Sequence, residues 1–316
     1  MSLDLTTIRA AHERIRPLIH RTLVLTSARL DAASGASLFF KCENFQKVGA
    51  FKARGAANAV FALDDETARR GVATHSSGNH AAALARAAKL RGIASHIVMP
   101  SNSPKVKVRA VEGYGGRIVF CEPTQKARET ACARVIEETG ATLIHPFENE
   151  QVMAGAGTVA VELMEDVPDL DLVLCPVGGG GVLCGTAVAA KTIRPGIKVI
   201  ATEPAGAADA AESFRQNRLI YQENKNTIAD GLRTNLGAIN FSLMQCYVDD
   251  VVVVSEESIV AAMRTIWETV KIVIEPSAAV PYAAILEERI DFRAKKVGII
   301  LTGGNVDLEA LPWMPR

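Results

Sequence analysis

Lys52 is the side chain with the most chemistry to offer. It lies in the run Phe45-Gln46-Lys47-Val48-Gly49-Ala50-Phe51-Lys52-Ala53-Arg54-Gly55-Ala56, near the start of an expected helix, between apolar Phe51 and small residues. Apolar surroundings penalise an ammonium, lower its pKa and leave an amine that can act as nucleophile and Schiff-base former. Taken alone, a lysine is most simply a solvated surface residue. Four other polar segments bear on the choice.

His75-Ser76-Ser77-Gly78-Asn79-His80 follows a short apolar run and precedes an alanine-rich helical stretch. These residues suit a helix cap and turn. They equally suit a loop whose hydroxyls, amide and N–H groups receive a carboxylate at a helix start. Pro176-Val177-Gly178-Gly179-Gly180-Gly181-Val182 again joins an apolar run to a small-residue helix. Consecutive glycines lose much conformational entropy on ordering, and close approach of several N–H groups to one phosphate is the return. A plain flexible turn is the alternative. The run lacks the Gly-x-Gly-x-x-Gly spacing and the Gly-Lys-Ser/Thr ending of nucleotide loops. Glu203 stands roughly twenty residues on, where a dinucleotide fold keeps its ribose acid, but the glycine spacing and Pro204 make that reading the weaker. Thr302-Gly303-Gly304-Asn305 ends a very apolar run, and Asp230-Gly231-Leu232-Arg233-Thr234 is a polar turn. The Thr302 hydroxyl either caps its turn or donates to a ring nitrogen at the bottom of a pocket.

The elements that must carry these groups are legible as apolar runs alternating with helix-period segments. Strands are expected at 38–41, 71–74, 95–99, 117–120, 172–176, 199–202, 251–254 and 297–301. Helices are expected at 81–90, 105–114, 126–139, 152–165, 182–193 and 258–270. That alternation predicts an α/β architecture with largely parallel sheets and helices on both faces. Segments 71–145 can make a small sheet of their own, inside a larger discontinuous unit. Sites in such folds lie at the carboxyl ends of strands, where three of the four polar segments fall, with residues 230–234 forming a turn apart from any expected strand.

Composition narrows the function. Of 316 residues, 48% are hydrophobic and 22% charged, and the 35 Lys and Arg equal the 35 Asp and Glu, which removes the basic excess that nucleic acid requires. The N-terminal residues read as neither signal peptide nor anchor, and no window matches a membrane span. The six scattered cysteines without a Cys-x-x-Cys pair suggest free thiols in a reducing cytoplasm.

Taken in order, Lys41-Cys42-Glu43-Asn44-Phe45-Gln46-Lys47-Val48-Gly49-Ala50-Phe51-Lys52, Ser76-Ser77-Gly78-Asn79-His80, the four glycines and Gly303-Gly304-Asn305-Val306-Asp307 closely resemble the fold-type II pyridoxal-phosphate (PLP) enzymes. The nearest branch holds serine racemases and the short threonine/serine dehydratases, and the resemblance runs from about His20 to Asp307. It implies a tryptophan synthase β-like fold of two open twisted α/β domains with PLP in the cleft between them. The large domain would be residues 1–70 with 149–316, and the small one 71–148. Lys52 would carry PLP as a Schiff base and shuttle protons on one face. Phe51 would pack beside the ring, Asn79 meet its hydroxyl, Gly178, Gly179, Gly180 and Gly181 hold the phosphate, Thr302 meet the ring nitrogen, and Gly231 lie beside the cofactor. Ser76, Ser77, Asn79 and His80 would bind the substrate α-carboxylate, with Thr234 also in the substrate region.

The implied reaction is loss of the β-hydroxyl and ammonia from an amino acid, giving a 2-oxo acid. A neutral hydroxyl at Thr302 makes the ring a weaker electron sink than an aspartate would, which favours elimination over a fully developed carbanion. Ser77 matches the serine that exchanges protons on the opposite face in serine racemase, so racemisation stays open beside simple carboxylate binding. Glu203, the Ala207 carbonyl and Asp209 match a divalent-cation site for Mg²⁺ or Ca²⁺. Spacing alone reads them as acids on a solvated turn. Departures bear on substrate: Ala81-Ala82 stands where racemases tend to have Gly-Gln, and Phe147 where mammalian-type racemases have Asn. Arg128 matches an arginine that approaches a second carboxylate, making 3-hydroxyaspartate a plausible substrate. On its own it reads as a surface residue. Relatives are commonly homodimers, and isoleucine control through a further domain is not expected.

Overall fold

The computed structural model describes residues 3–76, 78–103 and 105–314. Ten strands occur among them: β1 (Val24–Leu25), β2 (Ser37–Cys42), β3 (Val72–His75), β4 (Ser95–Pro100), β5 (Arg117–Cys121), β6 (Thr142–Leu143), β7 (Leu172–Pro176), β8 (Lys198–Pro204), β9 (Asp250–Val254) and β10 (Lys296–Leu301). The helices before the second sheet are α1 (Leu5–Ile15), α2 (Ala28–Ser34), α3 (Lys52–Phe61) and α4 (Asp65–Arg69). Within and just after that sheet come α5 (Asn79–Arg91), α6 (Lys105–Gly113), α7 (Gln125–Thr139) and α8 (Glu150–Asp166). The remainder are α9 (Gly181–Ile193), α10 (Asp209–Gln216), α11 (Ala238–Tyr247), α12 (Glu256–Val270) and α13 (Pro276–Leu286).

Two sheets result. The larger runs β1-β2-β10-β7-β8-β9 and the smaller β5-β4-β3-β6. Every pairing is parallel except β1 with β2. The larger sheet is buried on both faces, so its strands are mostly apolar on both sides, with buried Lys41 in β2 and Glu203 in β8 among the exceptions, and side-chain alternation sends neighbours to opposite sides. Leu172 and Leu174 join Phe40, Met263 and Tyr282 under α12 and α13. Val173 and Cys175 join Leu163, Leu183 and Ile300 under α8 and α9. The smaller sheet packs Ile97 and Met99 against Leu84 of α5, and Ala73 and Val98 against Cys132 and Val135 of α7.

Helix starts follow from short polar residues that satisfy otherwise unpaired N–H groups. Thr124 accepts from the Ala127 N–H at 3.1 Å to open α7, and Asn149 accepts from that of Val152 at 3.0 Å to open α8. Several helices lack such a cap, α5 and α9 among them. Gly78 before α5 and Gly180 before α9 supply no side-chain acceptor, which leaves these N-termini to an outside partner. Both lie at the carboxyl ends of strands, β3 and β7. No helix among the described residues is long and apolar enough to cross a membrane.

Candidate active site

Lys52 opens α3, directly after a turn that the end of β10 clamps. The Phe51 N–H donates to Thr302 O at 3.0 Å, and Ala50 bridges Gly303. Within the same turn Val48 holds φ at 57°, which costs a β-branched residue on the order of 1–3 kcal/mol. Asn305 fastens it, donating from Nδ2 to Val48 O at 2.7 Å. Two residues beyond Lys52, the fully buried Arg54 is gripped by Glu43 at 2.7 Å and Glu162 at 2.7 Å. Lys41 joins Glu162 at 2.7 Å, so two buried cations face two buried anions and the first turn of α3 is tied to β2 and α8. Burial would raise the Glu162 carboxyl, but Arg54 and Lys41 hold it down at about 2.

The Lys52 ammonium donates to Pro146 O at 2.8 Å and lies 5.0 Å from the Phe51 ring centroid. Desolvation lowers its pKa to about 8. The turn that supplies Pro146 O is pinned in place. His145 Nδ1 accepts from the Glu148 N–H at 2.9 Å, and Glu148 accepts from the Ala238 N–H at 2.6 Å where α11 begins.

The glycine loop stands against that turn. Gly180 has φ +92°, and a Cβ there would sit 2.8 Å from both Asn240 Cβ and Leu236 Cδ1. A Cβ on Gly179 would lie 2.3 Å from the Phe147 ring, and one on Gly178 2.9 Å from Thr234 Oγ1. Residues 178–181 are buried, and none of their N–H groups donates to a described protein acceptor. Buried donors at the start of an uncapped helix fit a phosphate. The residues present therefore suit the phosphate of PLP, with the amine it requires close by.

The remaining expected residues are placed as follows. Ser76 follows β3, its N–H donating to Val98 O at 3.1 Å. Ser77 lies outside the described residues. Asn79 donates to Glu275 at 2.9 Å and accepts from Asn305 at 2.9 Å, which fixes its amide orientation. His80 is buried with Nε2 at 3.1 Å from Ile144 O, so Nε2 carries the proton, and burial followed by the Lys52 charge lowers its pKa to about 3. A neutral ring committed to Ile144 leaves the N–H groups of the first turn of α5 to meet an anion. The N–H of Gly231 donates to Ser277 Oγ at 3.0 Å, and Thr302 is buried at the end of β10. Arg128 is half-buried on α7 and near enough to His75 that its charge adds to burial in lowering the His75 pKa. His75 and His145 meet edge-on at 5.5 Å, and His145 and Phe147 at 4.6 Å.

Glu203 is the penultimate residue of β8 and Asp209 begins α10, with buried Ala207 between them. Desolvation and then the Asp209 charge raise the Glu203 carboxyl to about 8. Their oxygens already have donors: Ala210 N–H at 3.0 Å and Ala211 N–H at 2.8 Å for Glu203, Leu236 N–H at 2.8 Å and the Lys225 ammonium for Asp209. With an ammonium already seated on it, this donor set does not fit a divalent cation.

Several residues escaped the sequence reading. Glu275 is buried, its carboxyl pushed up to about 7 by desolvation and then by Asp230. Its place before Pro276, in Ile274-Glu275-Pro276, reads as an ordinary helix start. Asn240 donates to Gly179 O and, at 3.3 Å, to Phe147 O, but nothing in its local sequence marks it. Lys107 pairs with Asp230 across the two sheets, a contact that exists only in the folded chain.

A reactive-type lysine, an uncapped glycine-loop helix and a second helix N-terminus between two largely parallel sheets define an α/β enzyme built around a phosphate-bearing carbonyl cofactor. Residues 15–303 match the family model described as "Pyridoxal-phosphate dependent enzyme", and the chain belongs to that family. It is 49% identical to a serine racemase of Oryza sativa over 98% of this chain and 92% of that protein. It is 50% identical to a beta-hydroxyaspartate dehydratase of Paracoccus denitrificans over 96% of each. The structure of maize serine racemase superposes with a TM-score of 0.96 at 49% identity, covering 98% of this chain and 95% of that one.

Proposed function

We propose that the protein is a PLP-dependent ammonia-lyase for β-hydroxy amino acids, with 3-hydroxyaspartate as the substrate that best fits its polar groups. The observation that carries the substrate choice is the line from Lys52 through Pro146 and His145 to His75 and Arg128. A guanidinium at the far end of that line suits a second carboxylate, to which arginine binds through two parallel N–H bonds. The dehydratase relative at 50% identity acts on a substrate of that class by its name.

PLP, when bound, supplies an electron sink that acidifies the substrate Cα–H. The residues to hold it would be Lys52, Phe51 and Asn79, the four N–H groups of residues 178–181, Gly231, and the Thr302 hydroxyl. Ser76, Ser77, Asn79 and the first-turn N–H groups at His80 would bind the α-carboxylate, with Thr234 at the rim. Lys52 as neutral amine takes the Cα proton and, as ammonium, returns it to the β-hydroxyl, which departs as water. The released enamine tautomerises and takes up one water, giving a 2-oxo acid and ammonia, so water is lost and regained. Phe147, next in the chain to the Pro146 carbonyl that accepts from Lys52, adds no polar group there and packs against the glycine loop.

The second reading is racemisation, favoured by the serine racemase relatives at 49% identity and by the Ser76-Ser77 pair. It requires a second proton carrier facing Lys52, the role assigned to Ser77. The same reading makes residues 71–148 a small domain and the rest a large one, in a cytoplasmic homodimer. Substrates to compare are L-serine, D-serine, L-threonine and the 3-hydroxyaspartate stereoisomers, with oxo acid and enantiomer followed together. Arg128→Gln is expected to raise KM for 3-hydroxyaspartate about 10-fold or more, the scale of one charged hydrogen bond, and to leave serine nearly unchanged. Equal losses for both substrates would remove the second-carboxylate assignment.

A further inference from the structure

The acidic pair behind the glycine loop carries a cation of its own. Lys225 is 6% exposed and ion-paired with Asp209, itself 1% exposed. Its loop is fastened to the 206–208 turn that would lend a carbonyl to a metal. Gln222 accepts from the Ala208 N–H at 3.1 Å and donates to Gly206 O at 3.3 Å. The Asn226 N–H donates to the same Gly206 O at 2.9 Å. These contacts on either side of Lys225 leave its ammonium aimed at the carboxylates. Hard divalent ions take six or more oxygen ligands, and an ammonium on Asp209 both occupies one of those oxygens and repels a second cation.

We propose that the Lys225 ammonium is the resident cation of the Glu203–Asp209 site, tethered to the chain in place of Mg²⁺ or Ca²⁺, so that the protein is independent of divalent metal. The site's role is then structural support of the cofactor loop. Asp209 accepts from the Leu236 N–H at 2.8 Å, and the Leu236 side chain packs against Gly180, so the counter-charge holds residues 235–240 behind the phosphate cradle. The inference holds whichever reaction the enzyme performs.

The test uses holoenzyme dialysed against EDTA and then titrated with Mg²⁺ or Ca²⁺, reading metal content by mass spectrometry and Tm by calorimetry. Wild type is expected to retain no stoichiometric metal and to show no Tm change in either step. Lys225→Ala is expected to have a lower Tm in EDTA, to bind about one ion per chain, and to gain at least about 2 °C on adding it. Lys225→Met, which keeps the stem and removes the charge, is the second variant. One tightly bound divalent ion in wild type, with a Tm that falls in EDTA, would overturn the proposal without reference to either variant. Variants that match wild type in Tm and metal content would overturn it equally.

Discussion

An amine that must lose its proton before it can react gains from a place that water cannot solvate. Lys52 is partly withdrawn from water, with Phe51 on one side, a carbonyl as its hydrogen-bond acceptor and a pKa brought down to about 8. The sign of the consequence is definite. The neutral amine is the form that condenses with PLP, so reconstitution of apoenzyme should speed up as pH rises and level off above about 8, where an ordinary lysine at 10.5 would carry the rise further. Stopped-flow absorbance across that range measures it, and a rate still climbing at pH 10 would show that Lys52 is solvated. Borohydride reduction of holoenzyme should then add the cofactor mass to the Lys52 peptide, and Lys52→Ala should lose at least about 10²–10⁴-fold in rate. The lysine was legible in the sequence because Phe51-Lys52 and the preceding glycine turn are contiguous. Glu275 was not, since what makes it unusual is burial beside Asn79, a residue distant in the chain.

Elements place these residues by ending where the chemistry begins. β7 stops at the glycine loop, β3 at the Ser76 turn, β10 at Thr302, and each stop coincides with a polar segment that the sequence displays openly. Gly180 is where backbone conformation and space both demand glycine: φ is +92° and a Cβ would meet Asn240 and Leu236 at 2.8 Å. Gly180→Ala should therefore cost about 1–3 kcal/mol of strain and weaken PLP binding more than it lowers Tm. Equilibrium dialysis against PLP alongside thermal unfolding separates the two, and unaltered PLP affinity would contradict the cradle. The long strands and helices α5 to α9 and α12 agree with the sequence expectation to within a few residues, because a strand buried on both faces writes a mostly apolar run. By contrast, α1, α10 and α11 were not singled out. β1 and β6 were missed, being two residues each and held only by their neighbours. α13 was not singled out either, since a helix apolar all round shows no stripe.

At the scale of the whole molecule the site is made by two sheets meeting, and little of that meeting is local in sequence. Lys107 on α6 reaches Asp230 on the turn before Gly231, joining the elements around the smaller sheet to those of the larger. Both groups are partly exposed, at 26% and 41%, so the pair is worth no more than about 1 kcal/mol in stability. Lys107→Ala should leave Tm within about 2 °C of wild type and raise KM a few-fold by loosening the closed arrangement. A fall in Tm with KM unchanged would make it a purely structural pair. The joint arrangement of Lys52, the histidine pair and Arg128 is likewise a property of the assembled fold, and the proposed lyase action on a dicarboxylic β-hydroxy amino acid rests on it. That claim is tested most directly by incubating holoenzyme with 3-hydroxyaspartate in D₂O, following oxo-acid release and deuterium at Cα of the recovered substrate. The account predicts oxo acid and ammonia in equal amounts, with release outrunning deuterium incorporation. Recovered substrate that is deuterated and epimerised at Cα, with no oxo acid formed, would contradict it.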